Sequence, residues 1–154
     1  MDQVNYVYQR DGSIYIGREA HEYSFSMDLV SFIEYCCQVY GTSLLNNKMN
    51  CKYILQESQN FPIIFSLLND IIFLPTKSIH NKECMLVNSR AIQSVTVLTS
   101  TTCKVTFSDN TDMDLNCSKT TLLKQIARAH QIRSYFKRNI SPIEKLIEEH
   151  GIIR

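Results

Sequence analysis

SKTTLLKQIARAHQIRSYFKRN, residues 118–139, is the longest run of the chain with helical periodicity, and it sets the fold class. At about 3.6 residues per turn, Leu122, Ile126, Ala129, Ile132 and Phe136 fall on one side, with Leu123 at the border. Lys124, Arg128, Gln131, Tyr135 and Arg138 fall on the other, and Lys119 and Lys137 lie on the flank. Arg133 sits inside the apolar sector, where it needs an acid to pair with or a path for its head to the edge. Ser118 is placed to cap the helix. Ahead of it, from Cys84 to Cys117, the pattern is that of β-strands. Strands giving way to a long helix predict an α+β fold with antiparallel strands.

The clearest alternation flanks Ser108-Asp109-Asn110-Thr111. Lys104-Val105-Thr106-Phe107 on one side and Met113-Asp114-Leu115 on the other read as a hairpin. Met85-Leu86-Val87 and the run from Ile92 to Leu98 are further candidate strands. Phe61-Pro62-Ile63-Ile64-Phe65 and Ile71-Ile72-Phe73-Leu74-Pro75, β-branched and aromatic with proline at the borders, predict two buried strands. Tyr6-Val7-Tyr8 and Ile14-Tyr15-Ile16 join through Asp11-Gly12, a hairpin signal, and Tyr23 and Phe25 continue the strand pattern. Asp28 as cap, an apolar face of Leu29, Phe32, Ile33, Cys36, Cys37 and Tyr40, and Gly41 as stop predict a helix near 28–40. The polar, asparagine-rich residues 42–50 read as a loop, and Cys51 to Leu55 as a strand. The long helix is placed near 119–138. Beyond it, Ser141-Pro142-Ile143-Glu144 has the serine, proline and glutamate of a capping box and opens a short final helix. Its apolar side is Ile143, Leu146 and Ile147. The expected organisation is a single α+β domain over residues 1–139, with the short helix of 140–154 appended to it.

With 44% hydrophobic and 20% charged residues, the 154-residue chain has the composition of an ordinary globular protein. No basic-then-apolar leader opens it, and its most apolar stretch, residues 61–75, is interrupted by Ser66, Asn69 and Asp70. Neither export nor a membrane span is expected. The six cysteines are then expected to be reduced and mostly buried in a cytoplasmic protein. His80-x-x-x-Cys84 and Cys36-Cys37 lack the spacing of a structural zinc site, and the glycines are scattered rather than gathered into a phosphate loop. Asp109, Asp112 and Asp114 belong to a turn and a solvent face. No metal, no cofactor and no catalytic site are expected. Charge is more informative. A net +1 hides a gradient: residues 1–34 set Arg10 and Arg18 against six acids, a balance of −4, whereas residues 118–139 carry six cations and no acid, a balance of +6. Phosphates need cations and donors along a line, and a helix face supplies both. Lys48, Lys52, Lys77, Lys82 and Arg90 are available to extend the patch. The plainer alternative is a solvated face, although such faces normally mix signs.

Four segments carry a resemblance. They are Cys37-Gln38-Val39-Tyr40-Gly41-Thr42-Ser43; Pro62-Ile63-Ile64 followed by Ile72-Phe73-Leu74-Pro75-Thr76, with Ser78 beyond; Val105-Thr106-Phe107-Ser108-Asp109-Asn110; and the helix ending Arg133-Ser134-Tyr135-Phe136. In order and spacing, over about residues 30–138, the set resembles the competence transcription factor ComK family. The resemblance implies a transcription activator of DNA-uptake genes, acting as a homo-oligomer on double-stranded DNA at the nucleoid. It also implies recognition of paired A/T-rich boxes, largely from the minor groove, and an adaptor that delivers the protein to a Clp protease. Narrow A/T minor grooves concentrate negative potential and attract Arg and Lys, which suits the basic helix. Where the family has a glycine followed by two basic residues, this chain has Asn46-Asn47-Lys48, leaving Lys48 as the family-based contact. The tail past Ile143-Glu144-Lys145-Leu146 is shorter than the extension that the adaptor uses. The expected DNA-contacting residues are Lys124, Arg128 and Arg138, then Gln131, Tyr135, Lys119, Lys137 and Lys48. A second class of function stays open: a non-enzymatic interaction module, a degenerate ComK-like paralogue that occupies the adaptor or pairs with an active homologue.

Overall fold

The computed structural model describes residues 1–57, 59–138 and 141–151, and among them it shows antiparallel sheets with four α-helices, an α+β fold as the sequence predicts. β1 (Val4–Arg10) turns at Asp11-Gly12 into β2 (Ser13–Arg18), pairing Arg10 with Ser13. Asp11 and Gly12 take φ of 53° and 77°, the left-handed pair that a two-residue hairpin turn requires. β3 (His21–Phe25) follows. With β4 (Ile63–Ser66), β5 (Ile71–Pro75) and β6 (Met85–Asn88) these strands form a six-stranded sheet in the order β3-β2-β1-β6-β5-β4. Tyr6 of β1 lies opposite Gly17 of β2, and its ring fills the space a side chain would need there: a Cβ on Gly17 would come within 2.0 Å of it. β7 (Ile92–Val97), β8 (Cys103–Phe107) and β9 (Asp112–Leu115) make a second, three-stranded sheet, with the expected hairpin loop between β8 and β9.

Two cores share the larger sheet. α1 (Leu29–Val39) opens on Asp28, whose carboxylate accepts the Ser31 N–H at 2.7 Å, and buries the predicted Leu29, Phe32, Ile33, Cys36 and Cys37. Its face joins Ile71 and Phe73 of β5 in one core. Ile72 and Leu74, the alternate positions of β5, enter the other with Val105, Phe107 and Leu115 of the second sheet. Leu122, Ala129 and Ile132 of α3 (Lys119–Arg138) complete that second core. Burying each large aliphatic or aromatic side chain contributes about 1.5–3 kcal/mol. Ser118 caps α3, its Oγ accepting the Thr121 N–H at 3.1 Å. Arg133 keeps its charge paired: Nε meets Asp70 and Nη2 donates to Ser89 Oγ at 2.7 Å. All six cysteines are free thiols and buried.

Residues 42–55 depart from expectation. In place of a loop and a strand they form α2 (Leu44–Leu55), capped by Ser43, whose Oγ accepts the Asn46 N–H at 3.1 Å. The buried stripe is Asn47, Cys51 and Leu55, a helical spacing of four in which only one member is a hydrocarbon. Asn47 is held by hydrogen bonds instead of apolar contact. Its Nδ2 donates to the Pro62 carbonyl at 3.1 Å and its Oδ1 accepts the Ile64 N–H at 2.8 Å, tying α2 to β4. α4 (Pro142–His150) opens on Ser141 and Pro142 as predicted, with Ser141 Oγ accepting the Ile143 N–H at 3.2 Å and the Glu144 N–H at 3.5 Å. The expected boundary at 139/140 lies outside the described residues. No helix among the described residues is long and apolar enough to cross a membrane.

Candidate nucleic-acid interface

α2 lies along α3, and that contact divides the polar face of α3. Arg128, expected to point outward, is turned in and only 8% exposed. Its Nη1 donates to the Asn60 carbonyl at 2.9 Å and to Gln125 Oε1 at 3.0 Å. Its Nη2 donates to the Gln59 carbonyl at 3.2 Å and to the Glu57 carboxylate. Gln125, 4% exposed, gives its amide protons to the carbonyls of Asn60 at 2.8 Å and Pro75 at 2.9 Å. One turn on, Gln131 Nε2 reaches the Ile54 carbonyl at 3.5 Å, and the Tyr135 ring meets Tyr53 of α2 edge-on, centroids 6.1 Å apart. The cause is a row of backbone carbonyls at the end of α2 and just after it, which an unnoticed helix brings against α3. Buried carbonyls need donors, and the amides and guanidinium of this face supply them.

The other predicted cations stay at the surface. Lys124 keeps 64% of its side chain exposed, 4.0 Å from Glu57. Lys48 is exposed on α2, Lys119 is half-buried in the first turn of α3, and Lys137 and Arg138 are exposed in its last turn. Arg138 Nε bends back to the Ser134 carbonyl at 3.3 Å. Two adjoining clefts run beside the helix pair and share Gln59, Asn60 and Thr76. The first, of ≈ 510 Å³, has Thr121, Lys124, Gln125 and Arg128 on one wall and Pro75 on another. The second, of ≈ 820 Å³, runs from α2 to the β5–β6 connection, with Lys48, Lys77 and His80 on its walls and Glu34 as its acid. Lys77 and Lys48 thus come together with Lys124 along one path, whereas Arg90 lies apart, donating to the Asn69 carbonyl at 3.3 Å. His80 stands out in the sequence only through its spacing to Cys84, which says nothing of this cleft; the fold of the β5–β6 connection brings it here.

Chemically this is a lane of cations with amide and hydroxyl donors between them. The thiols do not make it a reactive site. Burial pushes Cys51 up to about 12 and Cys84 to about 11, far from the thiolate form at neutral pH. Burial also pulls the Arg128 guanidinium below its ordinary value, though an arginine remains protonated.

No curated protein is a significant match for the chain. Among solved structures, the LytTr DNA-binding domain of a methyl-accepting/DNA response regulator from Bacillus cereus is similar at 13% identity, with 81% of each chain covered and a TM-score of 0.42. The family model described as ComK protein matches residues 5–141. That match takes in most of the chain, from β1 through the end of α3, and the chain belongs to the ComK family.

Proposed function

We propose that this protein is a transcription activator that binds A/T-rich double-stranded DNA as a homo-oligomer at the nucleoid, in the cytoplasm, and switches on DNA-uptake genes. Its family supports the coarser part of this reading, a non-enzymatic DNA-binding regulator. The observation that supports DNA binding by this chain is the cationic path through the two clefts, Lys124 to Lys77 to Lys48 and His80. The activator role, the A/T preference and the homo-oligomer follow what the family resemblance implies. Lys and Arg gather where A/T tracts narrow the minor groove. Lys119 at one end of α3 and Lys137 and Arg138 at the other, roughly 30 Å apart by helix rise, reach phosphates on either side. Gln131 and Tyr135 act by holding α3 against α2, and Arg128 is reached only from inside the first cleft.

Fluorescence anisotropy with A/T-rich and G/C-rich duplexes over a range of salt tests this. Each neutralised phosphate adds about −0.9 to the log–log slope. A Lys48→Glu, Lys124→Glu variant is expected to flatten the slope and to weaken binding to both duplexes. A wild-type slope near zero overturns the DNA reading; an unchanged slope in the double variant moves the interface off these clefts.

The protein-interaction reading has an observation of its own. Ile143, Leu146 and Ile147 of α4 are all more than half exposed, and so are Leu45, Met49 and Tyr53 along α2. The partner this reading names is the Clp-protease adaptor or a homologue, and undiminished adaptor binding by an Ile143→Glu, Ile147→Glu variant would count against it.

A further inference from the structure

We infer that the first cleft is a phosphate site which Glu57 occupies in the free protein. The inference rests on the DNA-binding reading and adds to it a ligand group and a means of restraint. Arg128 is buried, and its Nε is enclosed without a hydrogen-bond partner among the described residues. Its other donors are spoken for: Nη1 by Asn60 and Gln125, Nη2 by Gln59 and Glu57. Nε and Nη2 form one edge of a guanidinium, the edge that grips an oxyanion through two parallel N–H bonds. Glu57 fills only the Nη2 half of that edge. A buried N–H left unmade is costly, and it marks a place where a further acceptor is favoured.

The surroundings suit an oxyanion that grips both halves of that edge. Lys124 Nζ stands 4.0 Å from the same Glu57 oxygen, and Thr121 and Gln125 line the same cleft. A backbone phosphodiester has two unesterified oxygens, enough to take both halves of the Arg128 edge with one of them also facing Lys124. Glu57 is the acid that lines this cleft, and it is poised to leave: its side chain is 44% exposed, it follows the left-handed residue that ends α2 (Gln56, φ 55°), and it belongs to no helix or strand. On arrival of a backbone phosphate, Glu57 swings to solvent and Arg128 and Lys124 exchange an internal anion for an external one. An anion that holds two cations in the free protein lowers affinity for every phosphate equally, so Glu57 restrains binding without altering sequence preference.

Glu57→Gln keeps the shape and removes the charge. It is expected to bind the A/T-rich duplex roughly tenfold more tightly than the wild type, with the same increase on the G/C-rich duplex. Lys124→Gln in the same background is expected to remove most of that gain. The Arg128 Nε–H resonance, assigned by its loss in Arg128→Lys, separates the sources of phosphate: titrated with inorganic phosphate in the absence of DNA, it shifts further in Glu57→Gln than in the wild type. A shift with the duplex but not with inorganic phosphate restricts the site to DNA phosphates. Equal or weaker DNA binding by Glu57→Gln, alongside a wild type that retains its salt slope, overturns the inference and leaves the DNA reading standing. A wild-type slope near zero, with the phosphate-induced shift intact, does the reverse. Should Glu57→Gln fail to melt as a folded protein, Glu57→Asp, which withdraws the carboxylate by one methylene, is expected to show a smaller tightening, and none would overturn the inference.

Discussion

Asn47 illustrates how much one polar side chain decides. It is 2% exposed and satisfies both the Pro62 carbonyl and the Ile64 N–H, the latter at a point where the β4–β5 register shifts between Ile64 and Ser66. Asn47→Ala leaves the Ile64 N–H buried and unpaired and the Pro62 carbonyl with only the Cys51 thiol, at 3.5 Å, so a loss of roughly 1–3 kcal/mol is expected in urea unfolding. A loss under about 0.5 kcal/mol would mean that water replaces the amide. The same position shows what sequence hides at this scale. Lys48 is legible as a cation, but nothing in Asn46-Asn47-Lys48 says that its middle residue faces inward. Arg128 is the converse case, legible as a cation and turned the other way by carbonyls that a hydropathy pattern does not contain. The cysteines were easier to read, since thiols behave as small apolar groups. Burial raises Cys36 and Cys37 to about 11 and Cys117 to about 12, and all six thiols are buried. The native protein at pH 8 is therefore expected to react with a thiol reagent at none of them within minutes, and to react at all six in denaturant.

Among the elements, those with a strong period or a specific turn were legible: both hairpins, the buried strands β4 and β5, α1 and α3. α2 was not, because its inward stripe is Asn47, Cys51 and Leu55 and its outward residues Leu45, Met49 and Tyr53 are themselves apolar, which blurs the amphipathic contrast. Missing α2 also concealed the division of the α3 face, so half of the candidate site was readable and half depended on a neighbour. α4 inverts the usual arrangement. Lys145 is the residue of this helix that turns inward, donating to the Tyr135 hydroxyl at 3.0 Å and lying 5.6 Å above the Tyr53 ring, while Ile143, Leu146 and Ile147 face water. Replacing those three by Ser is expected to change stability by no more than about 0.5 kcal/mol each, seen as a near-constant melting temperature. A large drop would show that the stripe is buried in solution. Between elements, Asp109 in the β8–β9 loop accepts the Asn5 Nδ2 of β1 at 2.8 Å. The Thr111 hydroxyl first, helped by Asn5, holds Asp109 below the ordinary carboxylate range. A depressed folded value means stability that is present above the unfolded pKa and lost as pH falls through the folded one, so Asp109→Asn is expected to flatten the acid limb of the stability profile.

At the scale of the whole molecule, β5 is the middle of three neighbouring strands, with β4 and β6, on which both cores depend, because its successive side chains alternate between them: Ile71 and Phe73 toward α1, Ile72 and Leu74 toward α3 and the smaller sheet. Cores that share a strand cannot melt separately unless that strand's pairing with β4 and β6 is lost as well. Phe73→Ala and Leu74→Ala empty opposite cores, at about 3–5 and 2–5 kcal/mol respectively. Both are expected to lower one common transition rather than to split it, with calorimetric and van't Hoff enthalpies still equal. The proposed interface draws on the same unit, since Thr76 and Lys77 follow β5 directly, Lys124 stands on α3 and Lys48 on α2. A duplex that binds there at about a hundred times its dissociation constant stabilises the native state by about 2.7 kcal/mol. For a domain of this size that is a rise of roughly 5–10 °C in the single transition. If the duplex raised only part of the melt, the clefts would belong to a subdomain that folds alone, and β5 would not couple the two cores.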